Sequence, residues 1–176
     1  MKKLFAVLMA LCLMGSAALA ETVTEINWND VFGPAVEAGQ VAGDFVTFDE
    51  IAVKIWLPEG LNATELTEED RAKGFIGYFT DEKASATVAV QYVDVSGETL
   101  EDYFAELKNM DDVSEPEMVL VNGIPAVNYE LPAQDSTTIA FATEAGYILE
   151  VTMAPVSAEG AEMVWGAVGA SIQAAE

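Results

Sequence analysis

The chain has no histidine, and its one cysteine, Cys12, lies within the first twenty residues. Histidine is the side chain that most often moves protons near neutral pH, and Ser–His–Asp and Cys–His arrangements require it. Zinc and copper sites also favour histidine and cysteine as ligands. The composition therefore excludes most nucleophilic and transition-metal chemistry. We expect a protein that is not an enzyme, with no catalytic residue and no cofactor.

Cationic residues are also scarce, with 7 lysines and arginines against 30 aspartates and glutamates. Lys2 and Lys3 precede residue 21 and all the acids follow Ala20, so the remainder carries a net charge of −25. Such a charge repels nucleic acid and anionic membrane surfaces, which we exclude as partners. No phosphate-binding loop of the G-x-x-x-x-G-K-[ST] type occurs. The acidity is typical of a highly soluble surface, with a cationic partner or bound Ca²⁺ as the alternative.

The first twenty residues have the pattern of a signal peptide. Lys2-Lys3 is a positive start, Leu4–Met14 is unbroken apolar sequence, and Ala18 and Ala20 form a small-x-small cleavage site before Glu21. Cleavage after Ala20 leaves 156 residues without cysteine, hence without disulfides. No apolar run reaches the roughly 20 residues that span a bilayer. We therefore expect an exported protein, secreted or periplasmic, with no membrane span in its mature form.

The mature length fits one domain with one core. Turn signals divide the chain into four strand pairs and three amphipathic helical stretches, in the order helix, two hairpins, helix, two hairpins, helix. We assign residues 21–44 to an N-terminal extension with a short helix and residues 45–176 to a single α+β domain. The hairpins predict an antiparallel β-sheet, and the helices must bury their apolar stripes on its faces. The predicted architecture is a layered α+β sandwich.

Two short sequence patterns predict a specific turn and a specific helix start. Asn122-Gly123 is the strongest short-range hairpin signal, because both residues tolerate positive φ. Thr99 followed by Asp102 has the form of a capping box and predicts the start of the central helix.

Three stretches resemble a known family: Ala52–Pro58 (AVKIWLP), Thr99–Leu107 (TLEDYFAEL) and Val121–Ala126 (VNGIPA). They are similar to the PsbP/Mog-like fold and to exported bacterial PsbP-like and DcrB-like proteins, over about residues 45–172. The resemblance implies a non-catalytic accessory domain outside the cytoplasm, and it supplies no catalytic residue. The acidity and the segment around Trp28 depart from the plant photosystem members, so no photosystem role carries over.

The same stretches contain our predicted contact surface for a protein, peptide or small ligand. Lys54 and Trp56 share one face of a predicted strand whose other face is apolar, so Trp56 lies either under a helix or at a binding surface. The Asn122-Gly123 turn is the other predicted part of this surface. The sequence leaves the identity of the ligand or partner and the oligomeric state open.

The alternative function is a Ca²⁺-dependent module or a hydrolase that uses carboxylates alone. The densest acidic run after the central helix supplies the Ca²⁺ candidates Asp111, Asp112, Glu115 and Glu117, although it lacks the D-x-[DN]-x-[DN]-G pattern. Solvated loop charge near a helix end is the favoured explanation of the same run. Two acids held about 5–10 Å apart can cleave a glycosidic bond, but 30 acids meet that distance by chance.

Overall fold

A computed structural model describes residues 23–175, except residues 96, 144 and 145. The predicted leader and its cleavage residues Ala18, Ala20 and Glu21 lie outside these described residues. Within them, no helix has the length and apolar character needed to cross a membrane.

The described chain forms eleven strands, five helices and two short 3-10 turns. The strands are β1 (Thr24–Ile26), β2 (Gly43–Phe48), β3 (Val53–Pro58), β4 (Asn62–Ala63), β5 (Phe75–Thr80), β6 (Thr87–Asp94), β7 (Ser114–Val121), β8 (Ile124–Leu131), β9 (Ser136–Ala142), β10 (Tyr147–Ala154) and β11 (Gln173–Ala174). The helices are α1 (Trp28–Val31), α2 (Gly33–Glu37), α3 (Glu68–Ala72), α4 (Leu100–Leu107) and α5 (Ala161–Ala170), and the 3-10 turns are Asp49–Ile51 and Pro132–Gln134.

All four predicted hairpins form antiparallel pairs, namely β2–β3, β5–β6, β7–β8 and β9–β10. Eight strands join in one sheet in the order β1-β7-β8-β9-β10-β6-β5-β4. The structure therefore confirms the predicted fold class, an α+β protein built on an antiparallel sheet with helices on its faces.

Two features of the sheets differ from the simplest expectation. Strand β1 pairs in parallel with β7, so the predicted extension contributes a strand to the large sheet. The β2–β3 hairpin joins β11 in a separate three-stranded sheet, in the order β11-β3-β2. The reason lies in β3, where Ile55, Trp56 and Leu57 are all buried although they alternate between two faces. A strand that is buried on both faces must lie between two layers.

The large sheet has a core on each face. One face packs against the small sheet, α1 and α5, and this core includes Val90, Val151, Trp28 and Trp165. On the other face, α4 places Leu100, Tyr103 and Leu107 over residues of β8, β9 and β10. Helix α4 is the central helix predicted from the sequence, and Thr99 and Asp102 form both halves of its capping box.

The last helix begins later than its sequence suggests. The sequence predicts a helix over residues 158–172 that Ser157 caps. Helix α5 instead starts at Ala161, after Gly160, whose φ is 81° and which provides no side-chain cap. Ser157 instead donates from its backbone N and its Oγ to the carboxylate of Asp135, at 2.9 and 2.5 Å. Residues 155–160 therefore form a loop that Asp135 braces.

Candidate functional site

Three loops meet at one end of the molecule around an open groove. They are the β3–β4 loop (residues 59–61), the β5–β6 loop (residues 81–86) and the β10–α5 loop (residues 155–160). The last two are neighbours because Ala154 pairs with Thr87 where β10 ends and β6 begins. Together with the first turns of α5 they enclose about 370 Å³, which we call the loop-end groove.

The floor of the loop-end groove is apolar, and its polar groups lie at the rim. The indole Nε1 of Trp165 donates to the carbonyl of Pro155 at 2.7 Å, which holds the ring in place. The carboxylates at the rim are those of Glu59, Asp81 and Glu159. Neither lysine nor arginine is among the described lining residues. The apolar lining residues other than glycine are Pro58, Leu61, Ala86, Pro155, Ala158, Ala161, Val164 and Trp165.

The loops that form the groove are held by their own hydrogen bonds. In the β5–β6 loop, Oδ1 of Asp81 accepts from the backbone N of Ser85 and of Ala86, and Oδ2 accepts from Ser85 Oγ at 2.6 Å. These bonds lower the pKa of Asp81, and the charge of Lys83 lowers it less. Asp81 is therefore ionised at neutral pH. The Asp135 brace holds the β10–α5 loop, so the groove is formed before any ligand arrives.

Three of the predicted contact residues meet at the C-terminal end of α5. The backbone N of Trp56 donates to Ser171 Oγ at 2.8 Å, and Lys54 pairs with Gln173 between β3 and β11. Asn122 Nδ2 donates to the carbonyls of Ala170 and Ile172, at 2.8 and 3.1 Å. The sequence thus selected residues that lie together, at a junction between layers of the fold.

The structure corrects the placement of Trp56. The sequence left two positions open for Trp56, under a helix or at a binding surface. The structure buries it, with 1% of the residue exposed. Its ring lies 6.0 Å from that of Trp28, which covers the face of β3 opposite Ile55. Alternation along a strand shows which residues share a face but not whether another element covers that face. Trp56 is therefore a core residue and not part of a contact surface.

The other predicted contact residues keep some exposure. The Lys54 ammonium lies 5.5 Å above the ring of Phe45, and 42% of the Phe45 side chain is exposed. Gly123 is exposed in the β7–β8 turn, with φ of 80°. Contact between Lys54 or Gly123 and a partner stays a prediction.

Asn122 connects three segments through its amide and backbone. Its Oδ1 accepts from the backbone N of Trp28 at 2.9 Å, while its own backbone N donates to the carbonyl of Ile26 at 2.9 Å. With its two bonds to the end of α5, the residue ties the β7–β8 turn to both ends of the described chain. Its φ of 50° fits asparagine, which tolerates the left-handed region. We call this arrangement the Asn122 clasp.

The four Ca²⁺ candidates do not form a cation cage. Among the described residues, no three acidic side chains converge as a metal site requires. Asp111 and Asp112 are exposed between α4 and β7. Glu117 is next to a bulge in β7, where burial, and secondarily the charge of Glu115, raises its pKa.

A buried polar cluster under α4 was missed at the sequence level. The Tyr103 hydroxyl donates to Oε1 of Glu150, the Tyr129 hydroxyl donates to the same oxygen at 3.1 Å, and the two hydroxyls are 3.1 Å apart. Burial, and after it the Glu150 charge, raises the pKa of both tyrosines. Both hydroxyls therefore stay protonated and donate at neutral pH. The one available signal was Tyr103 on the buried stripe of the predicted helix.

The loop-end groove was also missed. Its residues appear in the sequence as ordinary turn signals, Pro58-Glu59-Gly60 and Asp81 to Ser85. Only the strand order brings these loops together, and no local pattern encodes that order.

No protein-family model matches the chain, and no curated protein does. Cyanobacterial PsbP (CyanoP) from Synechocystis sp. PCC 6803 has a similar solution structure, with a TM-score of 0.52 and 10% identity, over 92% of this chain and 98% of that one. The Ran-binding protein Mog1p of Saccharomyces cerevisiae is similar over 77% of this chain and 97% of that one, with a TM-score of 0.43 and 8% identity. The resemblance predicted from the sequence is confirmed for the fold, which is PsbP/Mog-like.

Replacement of Asn122 by aspartate is expected to lower the free energy of unfolding by about 1–3 kcal/mol at neutral pH, because a carboxylate cannot donate to the two carbonyls. Charge beside those carbonyls raises the pKa of the new aspartate in the folded state, so the deficit is full above that raised pKa, shrinks as the pH falls through it, and is smallest below about 4, the pKa of an unfolded aspartate. Urea denaturation at several pH values measures both effects. Asn29→Asp, an exposed site on α1, is the matched control, and an equal loss there would contradict the clasp.

Tyr103→Phe is expected to lower the free energy of unfolding by about 1–3 kcal/mol, because the partly buried Glu150 loses one of its two hydroxyl donors. Tyr147→Phe, at a 42% exposed side chain, should change it by less than about 0.5 kcal/mol. The raised tyrosine pKa favours the neutral hydroxyl in the folded state, so this contribution is complete below about pH 10 and is lost as the pH rises further. Denaturation curves at pH 8 and above pH 10 check the sign, since the variant should lose less stability between them than the wild type.

Proposed function

We propose that the chain is an exported, non-enzymatic domain that binds a partner in the loop-end groove. The observation that carries the proposal is the groove itself, in which an apolar floor with a fixed Trp165 indole lies between loops braced by Asp81 and Asp135. At about 370 Å³ it has the size of a small binding site. A site formed in advance binds without the entropic loss of ordering its loops.

The chemistry of the groove supports binding over catalysis. Ser85 is the one described lining residue with a hydroxyl, and that hydroxyl donates to Asp81. Activation of a serine nucleophile normally requires an imidazole base, and the chain has no histidine. The Asp81 carboxylate accepts three hydrogen bonds and is held as an ion, which makes it a poor proton donor.

The export part of the proposal rests on the N-terminal sequence pattern. Intact-mass measurement of the protein recovered from the cells that make it should give a chain that begins at Glu21. Retention of Met1 and Cys12 in the recovered protein would refute both the export and the cysteine-free mature chain.

The binding part is tested by filling the groove. Ala158 is exposed and lines the groove, so Ala158→Trp should place an indole in the space that a partner occupies, without disturbing the core. We expect capture of the partner by the immobilised protein, from an extracytoplasmic extract, to weaken at least about tenfold. Quantitative mass spectrometry of the retained proteins measures the loss.

Ala105→Trp is the matched control, because it makes the same change at an exposed position of α4 on the other face of the large sheet. A partner that binds in the groove is retained by the wild type and by Ala105→Trp, and is lost from Ala158→Trp. Equal retention by all three proteins would overturn the proposed function. Thermal unfolding followed by circular dichroism establishes that both variants fold.

A further inference from the structure

Two of the three rim carboxylates of the loop-end groove are unused by the fold. Among the described residues, neither Glu59 nor Glu159 forms a side-chain hydrogen bond or ion pair, whereas the Asp81 carboxylate is fully engaged within its own loop. Glu59 contributes to the fold through its backbone N, which donates to the carbonyl of Ala42 at 2.8 Å. The groove therefore offers two free carboxylates and one fixed negative charge.

The positive charge near the groove is smaller than the negative charge of its three carboxylates. Lys83 lies on the same loop as Asp81 and is close enough to lower its pKa. The N-terminus of α5 contributes about half a positive charge, which is offset by Glu162 in its first turn and by Glu159 just before the N-cap residue Gly160. Three carboxylates against one lysine and a partial charge leave the groove negative. The net charge of −25 beyond residue 20 adds a long-range field of the same sign.

An apolar floor with a negative rim matches a basic side chain with a long apolar stem, lysine or arginine. Lysine packs its four-carbon stem along apolar surface while its ammonium reaches for water or a carboxylate. In the groove, the stem would lie on Leu61, Val164 and the edge of Trp165, and the ammonium would reach Glu59 or Glu159. Glutamate or phosphate would instead be repelled, and a purely apolar segment would leave both carboxylates unpaired.

We infer that the occupant of the loop-end groove is a basic segment of a partner protein, with lysine or arginine side chains in the groove. The inference rests on the proposed function and specifies the chemistry of its partner. Each basic side chain is recognised twice, through its stem by the apolar floor and through its cationic head by the free rim carboxylates. Charge attracts the segment, and the fit of the stem distinguishes this groove from the rest of an acidic surface.

The experiment uses labelled peptides and fluorescence polarisation with the mature protein. The probes are hexalysine, a hexamer of 2,4-diaminobutyric acid, and hexaglutamate. At pH 6 the first two carry the same charge, but each side chain of the second is two methylene groups shorter. We expect hexalysine to bind at least about threefold more tightly than the shorter-stemmed hexamer, because methylene groups removed from water favour binding, and hexaglutamate not to bind.

Variants then locate the site. Glu59→Gln with Glu159→Gln should weaken hexalysine binding about threefold to tenfold, as expected for two exposed ion pairs. Glu101→Gln with Glu106→Gln makes the same change in net charge on exposed positions of α4 and should change binding less than twofold. Lys83→Gln should tighten binding, because it removes a cation close to Asp81 at the rim.

Each contrary result has a distinct meaning. Equal weakening by the two glutamate pairs, or equal binding of the two cationic hexamers, shows attraction by net charge alone and overturns the inference. Loss of the natural partner from Ala158→Trp together with no hexalysine binding also overturns the assignment of a basic segment, while the proposed function stands. Retention of the natural partner by Ala158→Trp overturns the proposed function itself.

Discussion

The amide of Asn122 is the contact on which the arrangement of layers depends. It accepts from the backbone of Trp28 and donates to two carbonyls at the end of α5, so a two-residue turn is bonded to segments 94 and 50 residues away. The last carbonyls of a helix have no partner within the helix, and Asn122 supplies one. No other uncharged side chain of this size both donates twice and accepts, and asparagine also tolerates the φ of 50° that the turn requires.

The position of the candidate site follows from this contact. Helix α5 has ten residues and is about 15 Å long. Its C-terminal end is held by Asn122 and by the bond between Ser171 and the backbone of Trp56. Its N-terminal half supplies Val164 and Trp165 to the loop-end groove. A shift at the clasp would therefore move the groove floor relative to the β3–β4 and β5–β6 loops.

Local patterns predicted the local structure well. The hairpins and the Thr99 capping box depend on residues that are close in sequence, and both formed as expected. The parallel pairing of β1 with β7 depends on residues about 95 positions apart, and nothing in the short β1 sequence identifies its neighbour. The burial of Trp56 also depends on a residue that is distant in sequence, because Trp28 covers β3. The loop-end groove likewise could not be read from local patterns, because its walls come from three separate loops.

The acidity of the chain has two separate physical roles. Some carboxylates organise backbone, since Asp70 and Asp102 complete capping boxes and Asp81 and Asp135 brace loops. These groups are already bonded and have little to offer a partner. Glu59 and Glu159 differ, because no described group pairs with them and both lie beside apolar surface. The net charge counts the bonded and the unpaired carboxylates alike, so by itself it indicates solubility and not a site. The hydrogen bonds of each acid distinguish the carboxylates that hold the fold from those of the proposed binding rim.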